Sequence, residues 1–199
     1  MMNLALNLEL DITKPEQFST IEEAFRTSAK TSIARKVPSA PLKHLLKLNL
    51  IPSEGSCLNF GKGRDDIDSD AIASIAGNCT NYDYTYCRTD IFGSNFNFVY
   101  CGYVQNTLPQ EAREVTWKQL ASVTNRENGI CYVAVRTDKD VAKIAGEAYQ
   151  DGLITNRQTF QVGYSEEKLL SEASKHFPFC TIIKVSGFRL IRCSHAKVY

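Results

Sequence analysis

The stretch "SCLNFGKGRDDIDSD" (residues 56–70) runs from an apolar start through Gly61, Lys62 and Gly63 into four aspartates. A strand that stops at a glycine turn can hold a phosphate, a nucleoside or a metal ion. A phosphate loop needs Gly-Lys followed by Ser or Thr, but Gly63 follows Lys62. A calcium loop counted from Asp65 needs glycine at its sixth position and glutamate at its twelfth; Asp70 and Ala76 stand there. The nucleoside arrangement remains. In doubly wound folds a first strand, a glycine turn and a helix lead to a second strand. That strand ends about 20 residues on in an acid that accepts ribose hydroxyls. Asp83 closes "TNYD", 22 residues after Gly61.

Ligands of open α/β sheets sit at the carboxyl ends of the strands, so residues just past later strands are the next candidates. Tyr103 and Asn106 follow the strand ending near Cys101, and Arg136 follows another. Thr155, Arg157, Thr159 and Gln161 lie in a polar connection of 27 residues, 138–164. A connection that long is usually functional or disordered, and this one is expected to be a lid. Seven cysteines form no C-x-x-C pair, and His44, His176 and His195 are scattered. This pattern predicts reduced structural thiols and no metal. Cys101 is expected to be a buried strand thiol rather than a nucleophile.

The elements that must position these residues alternate. Residues 20–30 read as a helix with a Thr20/Glu23 capping box, and 42–51 as a short helix with Leu42, Leu45, Leu46 and Leu48 inward. Strands follow at 57–60, 79–86, 96–104 and 129–137, with helices at 68–77 and 109–124 between them. Asp68 or Ser69 is the expected cap of the first of these helices, and Gly77 its C-cap. Ala112, Val115, Thr116, Leu120 and Val123 fall on one face of the second. The nearly unbroken apolar run "GICYVAVRT" suits a central strand covered on both faces. A helix at 165–177, capped by Ser165, precedes strands at 180–185 and 188–194. Only Ser186 and Gly187 separate these two, so they must run antiparallel. Alternation of this kind predicts a three-layer α/β domain with a mostly parallel sheet ending in an antiparallel hairpin. Phe96 comes only 13 positions after Asp83, so one βα unit is expected to be a loop, leaving about six strands.

The totals are those of a soluble globular chain: 199 residues, 43% hydrophobic, 23% charged, net charge +1. No apolar run approaches a membrane span, and the first residues lack the basic start of a secretory signal. A cytoplasmic protein is expected. From Ala24 to Ser53 there is no acid, while Arg26, Lys30, Arg35, Lys36, Lys43 and Lys47 are cationic. That segment could face solvent or track a nucleic-acid backbone. Residues 1–20 are weakly patterned and read as a loose arm. The division expected is an N-terminal arm with helices, 1–53, packed on a domain at 54–199.

The blocks "TSIARKVPSAPLKHLLKLNLI", "LNFGKGRDD", "YDYTY", "NFVYCGYVQNTLP", "YVAVRTD" and "DGLITNRQTFQVGYS" come in an order that resembles a family of small phage and bacterial S-adenosylmethionine-dependent methyltransferases. Some of these accompany DNA phosphorothioation systems. The resemblance covers about Thr31 to Ser194 and implies a Rossmann-like methyltransferase fold with S-adenosylmethionine as cofactor. It implies cofactor-binding roles for Arg35, Asn59, Gly61, Gly63, Asp83, Tyr84 and Tyr103. Tyr103, Asn106 and Arg157 become the candidates for contact with the acceptor, and Ser39 shares a block with Arg35. The chain departs from the family where Asn59 replaces an acid, where Arg64-Asp65 stands in place of a third glycine, and where Tyr84-Thr85 lacks a proline. Two readings stay open: a methyltransferase of unspecified acceptor, and a non-catalytic binder of S-adenosylmethionine or a nucleotide that acts on nucleic acid or a host protein.

Overall fold

The computed structural model describes residues 15–197, with side chains from residue 21 onward. The expected arm at 1–20 therefore lies mostly outside the described residues. Helix α1 (Pro15–Ala29) begins before Thr20, so Thr20 lies inside the helix and is not its cap. Helix α2 (Ala40–Lys47) is capped by Ser39, whose hydroxyl accepts from Leu42 N. Leu42 and Leu45 are buried, whereas Leu48 lies past the helix end and is 46% exposed.

The main sheet contains β1 (Cys57–Phe60), β2 (Thr80–Tyr82), β3 (Phe98–Gly102), β4 (Ile130–Val135), β8 (Phe179–Ile183) and β9 (Arg189–Ser194), in the order β2-β1-β3-β4-β9-β8. The first four are mutually parallel. β9 is antiparallel to both β4 and β8. The terminal pair is thus antiparallel as expected, with the last strand on the inside. No helix or named strand separates β2 from β3, in line with the shortened unit that the sequence predicts.

Alternation along the strands divides the core between the two faces. Val99, Cys101, Cys131, Val133 and Val135 face one layer with Trp117, Leu120 and Val123 of α4 (Gln110–Val123) and Leu169 and Ala173 of α6 (Glu166–Ala173). Phe98, Tyr100, Tyr132 and Ala134 face the other, with Leu42 and Leu45 of α2 and Ile72 and Ala76 of α3 (Ile67–Ala76). This is the three-layer arrangement. β4 is buried on both faces, as its apolar run predicts.

The cap expected for α3 is not the one found. Asp66, not Asp68 or Ser69, occupies the N-cap of α3; Asp68 and Ser69 lie inside the helix and are buried. Both have other partners: Asp68 takes Arg35 and Ser39, and Ser69 takes Asn59. The long connection is also structured. It holds α5 (Asp138–Val141) and a small antiparallel sheet of β5 (Gly146–Tyr149), β6 (Gly152–Thr155) and β7 (Phe160–Gln161). Phe160 and Val162 reach the main core, and Val162 N donates to Asn106 O at 2.9 Å.

Candidate active site

The parallel strands end together around a cavity of about 520 Å³, within the range of small-molecule sites, about 300–1,000 Å³. Its floor is the glycine turn after β1. Gly61 and Gly63 have φ of +75° and +74°, a region that glycine enters without steric cost. Space is short as well: a Cβ on Gly61 would stand 2.2 Å from Val104 Cγ2, and one on Gly63 2.5 Å from Ser32 Oγ. Gly61 N donates to Tyr82 O at 2.7 Å, which closes the turn against the end of β2.

Asp83 sits where β2 ends. Its Oδ2 accepts from Gly63 N at 3.0 Å, and its Oδ1 from Thr85 N and Tyr86 N at 2.9 and 3.0 Å. An ionised carboxylate offers about four acceptor positions, so one is left without a protein donor, and Asp83 lines the cavity. Tyr84, the next residue, stacks on Phe25 of α1 at 4.8 Å, and both line the cavity.

The segment between α1 and α2 crosses the mouth. Arg35 is clamped there: its Nη1 donates to Asp68 Oδ2 at 2.8 Å and its backbone N to Asp65 Oδ2 at 2.9 Å. Asp68 Oδ1 accepts from Ser39 N, and Ser39 Oγ lies 2.7 Å from Tyr100 Oη. Burial alone would lower the Arg35 pKa, but the Asp68 and Asp65 carboxylates reverse this and raise it. Burial would raise Asp65, yet hydrogen bonds and charge from Arg35 hold it below its usual value.

Past β3, Tyr103 adopts φ +62°, a left-handed conformation that is uncommon for a non-glycine residue. Its N donates to Ala134 O at 2.8 Å. Burial pushes the Tyr103 phenol up, and Arg136 pulls it back only in part. Asn106 is buried. It donates to Gln161 Oε1 at 3.4 Å and accepts from Arg136 N at 3.3 Å, linking the ends of β3, β4 and β7.

Among the sequence-predicted residues, Arg35, Gly61, Gly63, Asp83, Tyr84, Tyr103 and Asn106 line this cavity together. Asn59 does not; it is buried and donates to Ser69 Oγ at 2.9 Å, tying β1 to α3. Arg157 lines a second cavity of about 350 Å³, which shares Thr31, Ile33, Arg136 and Gln161 with the first. The cavity wall also includes Phe25, Ser28 and Ala29 of α1, and Asp140, which sequence reasoning does not single out. The one available signal is that "TSIARK" opens the first block of the resemblance, just after α1. All three histidines lie elsewhere: His44 against Phe188, His176 beside Glu114, and His195 on Ala121 O. Among the described residues, no group of three His, Cys, Asp or Glu could hold a metal ion.

No protein-family model matches the sequence, and no curated protein matches it. Solved structures do. The DhpI–SAH complex is 18% identical, with a TM-score of 0.59 over 90% of this chain and 95% of that one. The 1,6-didemethyltoxoflavin-N1-methyltransferase of Burkholderia thailandensis, with 1,6-didemethyltoxoflavin and S-adenosylhomocysteine bound, is 10% identical, with a TM-score of 0.61 over 90% and 89%. The N-methyltransferase NodS of Bradyrhizobium japonicum WM9, in complex with S-adenosylhomocysteine, is 11% identical, with a TM-score of 0.56 over 85% and 97%. At these identities the likeness concerns the fold: a Rossmann-like methyltransferase fold spanning nearly the whole of this chain.

Proposed function

We propose that the protein is an S-adenosylmethionine-dependent methyltransferase whose cofactor occupies the larger cavity. The observation that carries this reading is the junction of Gly63 and Asp83: a positive-φ glycine turn tied to a carboxylate with one acceptor position open, at the carboxyl ends of β1 and β2. The fit extends along the wall. Asp83 would take a ribose hydroxyl, and Gly61 and Gly63 would let the backbone approach closely. Tyr84 and Phe25 would offer an aromatic wall to the base, and Arg35 would face the carboxylate of the methionine end. When bound, the cofactor supplies a methyl group already activated on a sulfonium. The chain's own work is then to orient the acceptor and keep water out. Tyr103, with its phenol pushed up by burial, would stay protonated near neutral pH and donate a hydrogen bond rather than remove a proton.

The fold is shared with structures that hold S-adenosylhomocysteine, the N-methyltransferase NodS among them. Kinship with the small phage and bacterial enzymes and a cytoplasmic location belong to the same proposal and rest on the shared blocks. Among the described residues no helix is long and apolar enough to cross a membrane. A role for the basic segment with nucleic acid would rest on Lys30, Lys36, Lys43 and Lys47, because Arg26 pairs with Glu22, and Arg35 with Asp65 and Asp68.

Calorimetric titration with S-adenosylmethionine and S-adenosylhomocysteine tests this reading. Micromolar binding to one site, lost in Asp83→Ala, is expected. Absence of binding at millimolar ligand, or unchanged affinity in Asp83→Ala, would refute the assignment of the pocket.

A further inference from the structure

The smaller cavity opens beside the larger one and shares Arg136 and Gln161 with it. Three cationic side chains reach it from three unconnected parts of the chain. Lys30 follows the end of α1, Arg136 follows β4, and Arg157 sits at the tip of the β6–β7 hairpin. No carboxylate is among its lining residues. None of the ion pairs of the described residues includes any of these three. Thr155 and Thr159 brace the hairpin tip, with their hydroxyls 2.8 Å apart, and Ile33, Ile144 and Ala145 add an apolar wall.

We infer that this cavity is the acceptor site and that the acceptor is a small molecule with an apolar body and an anionic oxygen group: a carboxylate, phosphate or phosphonate. This deepens the methyltransferase reading and rests on it. Two independent features agree. Uncompensated like charges converging on one cavity repel one another and favour an anion. The larger cavity also contains no histidine. Of its two carboxylates, Asp83 is assigned to the ribose, and Asp140 accepts from Thr137 Oγ1 at 2.8 Å and lies 3.7 Å from Lys143 Nζ. An anionic oxygen needs no base. Its lone pair forms the new C–O bond while the C–S bond breaks and that electron pair stays on sulfur. The negative charge of the acceptor and the positive charge of the sulfonium cancel, and no proton is released. A volume of about 350 Å³ suits a small acid rather than a polymer.

The test uses the full chain at constant ionic strength. Inorganic phosphate, methylphosphonate and propionate are each titrated with and without S-adenosylhomocysteine. At least one should bind saturably at a single site, and the response to the three probes separates phosphorus oxyanions from carboxylates. Lys30→Gln/Arg157→Gln, at two exposed positions that line only the smaller cavity, should weaken that binding at least tenfold. The affinity for S-adenosylhomocysteine should stay within about twofold. The inference fails if none of the probes binds saturably, if the double variant binds them as the parent does, or if only a polynucleotide binds at the site. If S-adenosylhomocysteine does not bind, the methyltransferase reading fails separately, and the titrations without it still decide whether the cavity takes anions.

Discussion

Gly61 and Gly77 have almost the same backbone angle, φ +75° and +76°, but opposite surroundings. A Cβ at Gly77 meets nothing within 4 Å, whereas one at Gly61 collides with Val104. Gly77→Ala should therefore cost only the left-handed backbone penalty, about 1–2 kcal/mol. Gly61→Ala should cost more and also abolish ligand binding. Urea unfolding of both variants, with calorimetry on Gly61→Ala, checks the difference; equal losses would mean that the close approach to Val104 is immaterial. Gln105 presents a different residue-scale problem. It is fully buried, and neither its Oε1 nor its Nε2 has a partner among the described residues. Such a group costs about 1–3 kcal/mol in desolvation. Gln105→Met, of similar shape, should stabilise the fold by about 1 kcal/mol or more, read as a higher urea midpoint at unchanged slope.

The segment from Thr31 to Ser39 depends on a few charges. Asp68 is 2% exposed and holds both Arg35 and Ser39 N. Removing one partner of a buried pair costs about 3–5 kcal/mol. Asp68→Ala should therefore destabilise by about 3 kcal/mol and loosen the mouth of the cavity. Asp65 and Asp151 are both held below the usual aspartate range, because arginine bonds and charge outweigh burial. A carboxylate depressed in the native state stabilises fully above its unfolded pKa and loses that contribution as pH falls through its native one. Stability should thus be level with respect to these groups above about pH 4 and fall below it. The drop should be smaller in Asp65→Asn, as acid titrations followed by circular dichroism would show. What was legible at the level of elements was local. The apolar run of β4, the 3.6-residue repeat of α4 and the Ser165 cap each announce themselves within a few residues. The small sheet was not legible, because its placement rests on distant partners. Arg113, 2% exposed in the first turn of α4, binds Asp151 and Glu172, and nothing in the periodicity of α4 marks an arginine as buried. The glycine turn and Asp83 are readable by their spacing, whereas a strand end gives no hint that the Asn59 amide turns to Ser69 and not to the cavity.

For the whole molecule, the larger cavity draws on α1, the α1–α2 segment, and the ends of β1, β2, β3, β4 and β7. A ligand held there touches residues from Phe25 to Gly187, so it should stabilise the fold as a unit. At 100 times its dissociation constant, S-adenosylhomocysteine should add about 2.7 kcal/mol, which for a chain of this size is a rise of about 5–10 °C in melting temperature. A shift below 1 °C at that concentration would mean that the native state does not bind the ligand in preference to the unfolded chain. The strand order also governs the sequence of events during synthesis. β9 lies between β4 and β8, yet it is made after both. Once β4 has left the ribosome, its outer edge must wait for roughly 50 further residues, about 3–10 s at ordinary elongation rates, before its proper neighbour exists. In that interval, β8 offers itself as a premature partner in parallel register. Folding yield should therefore depend on how quickly the chain is completed, and slow codons placed between residues 136 and 188 would be the place to see it.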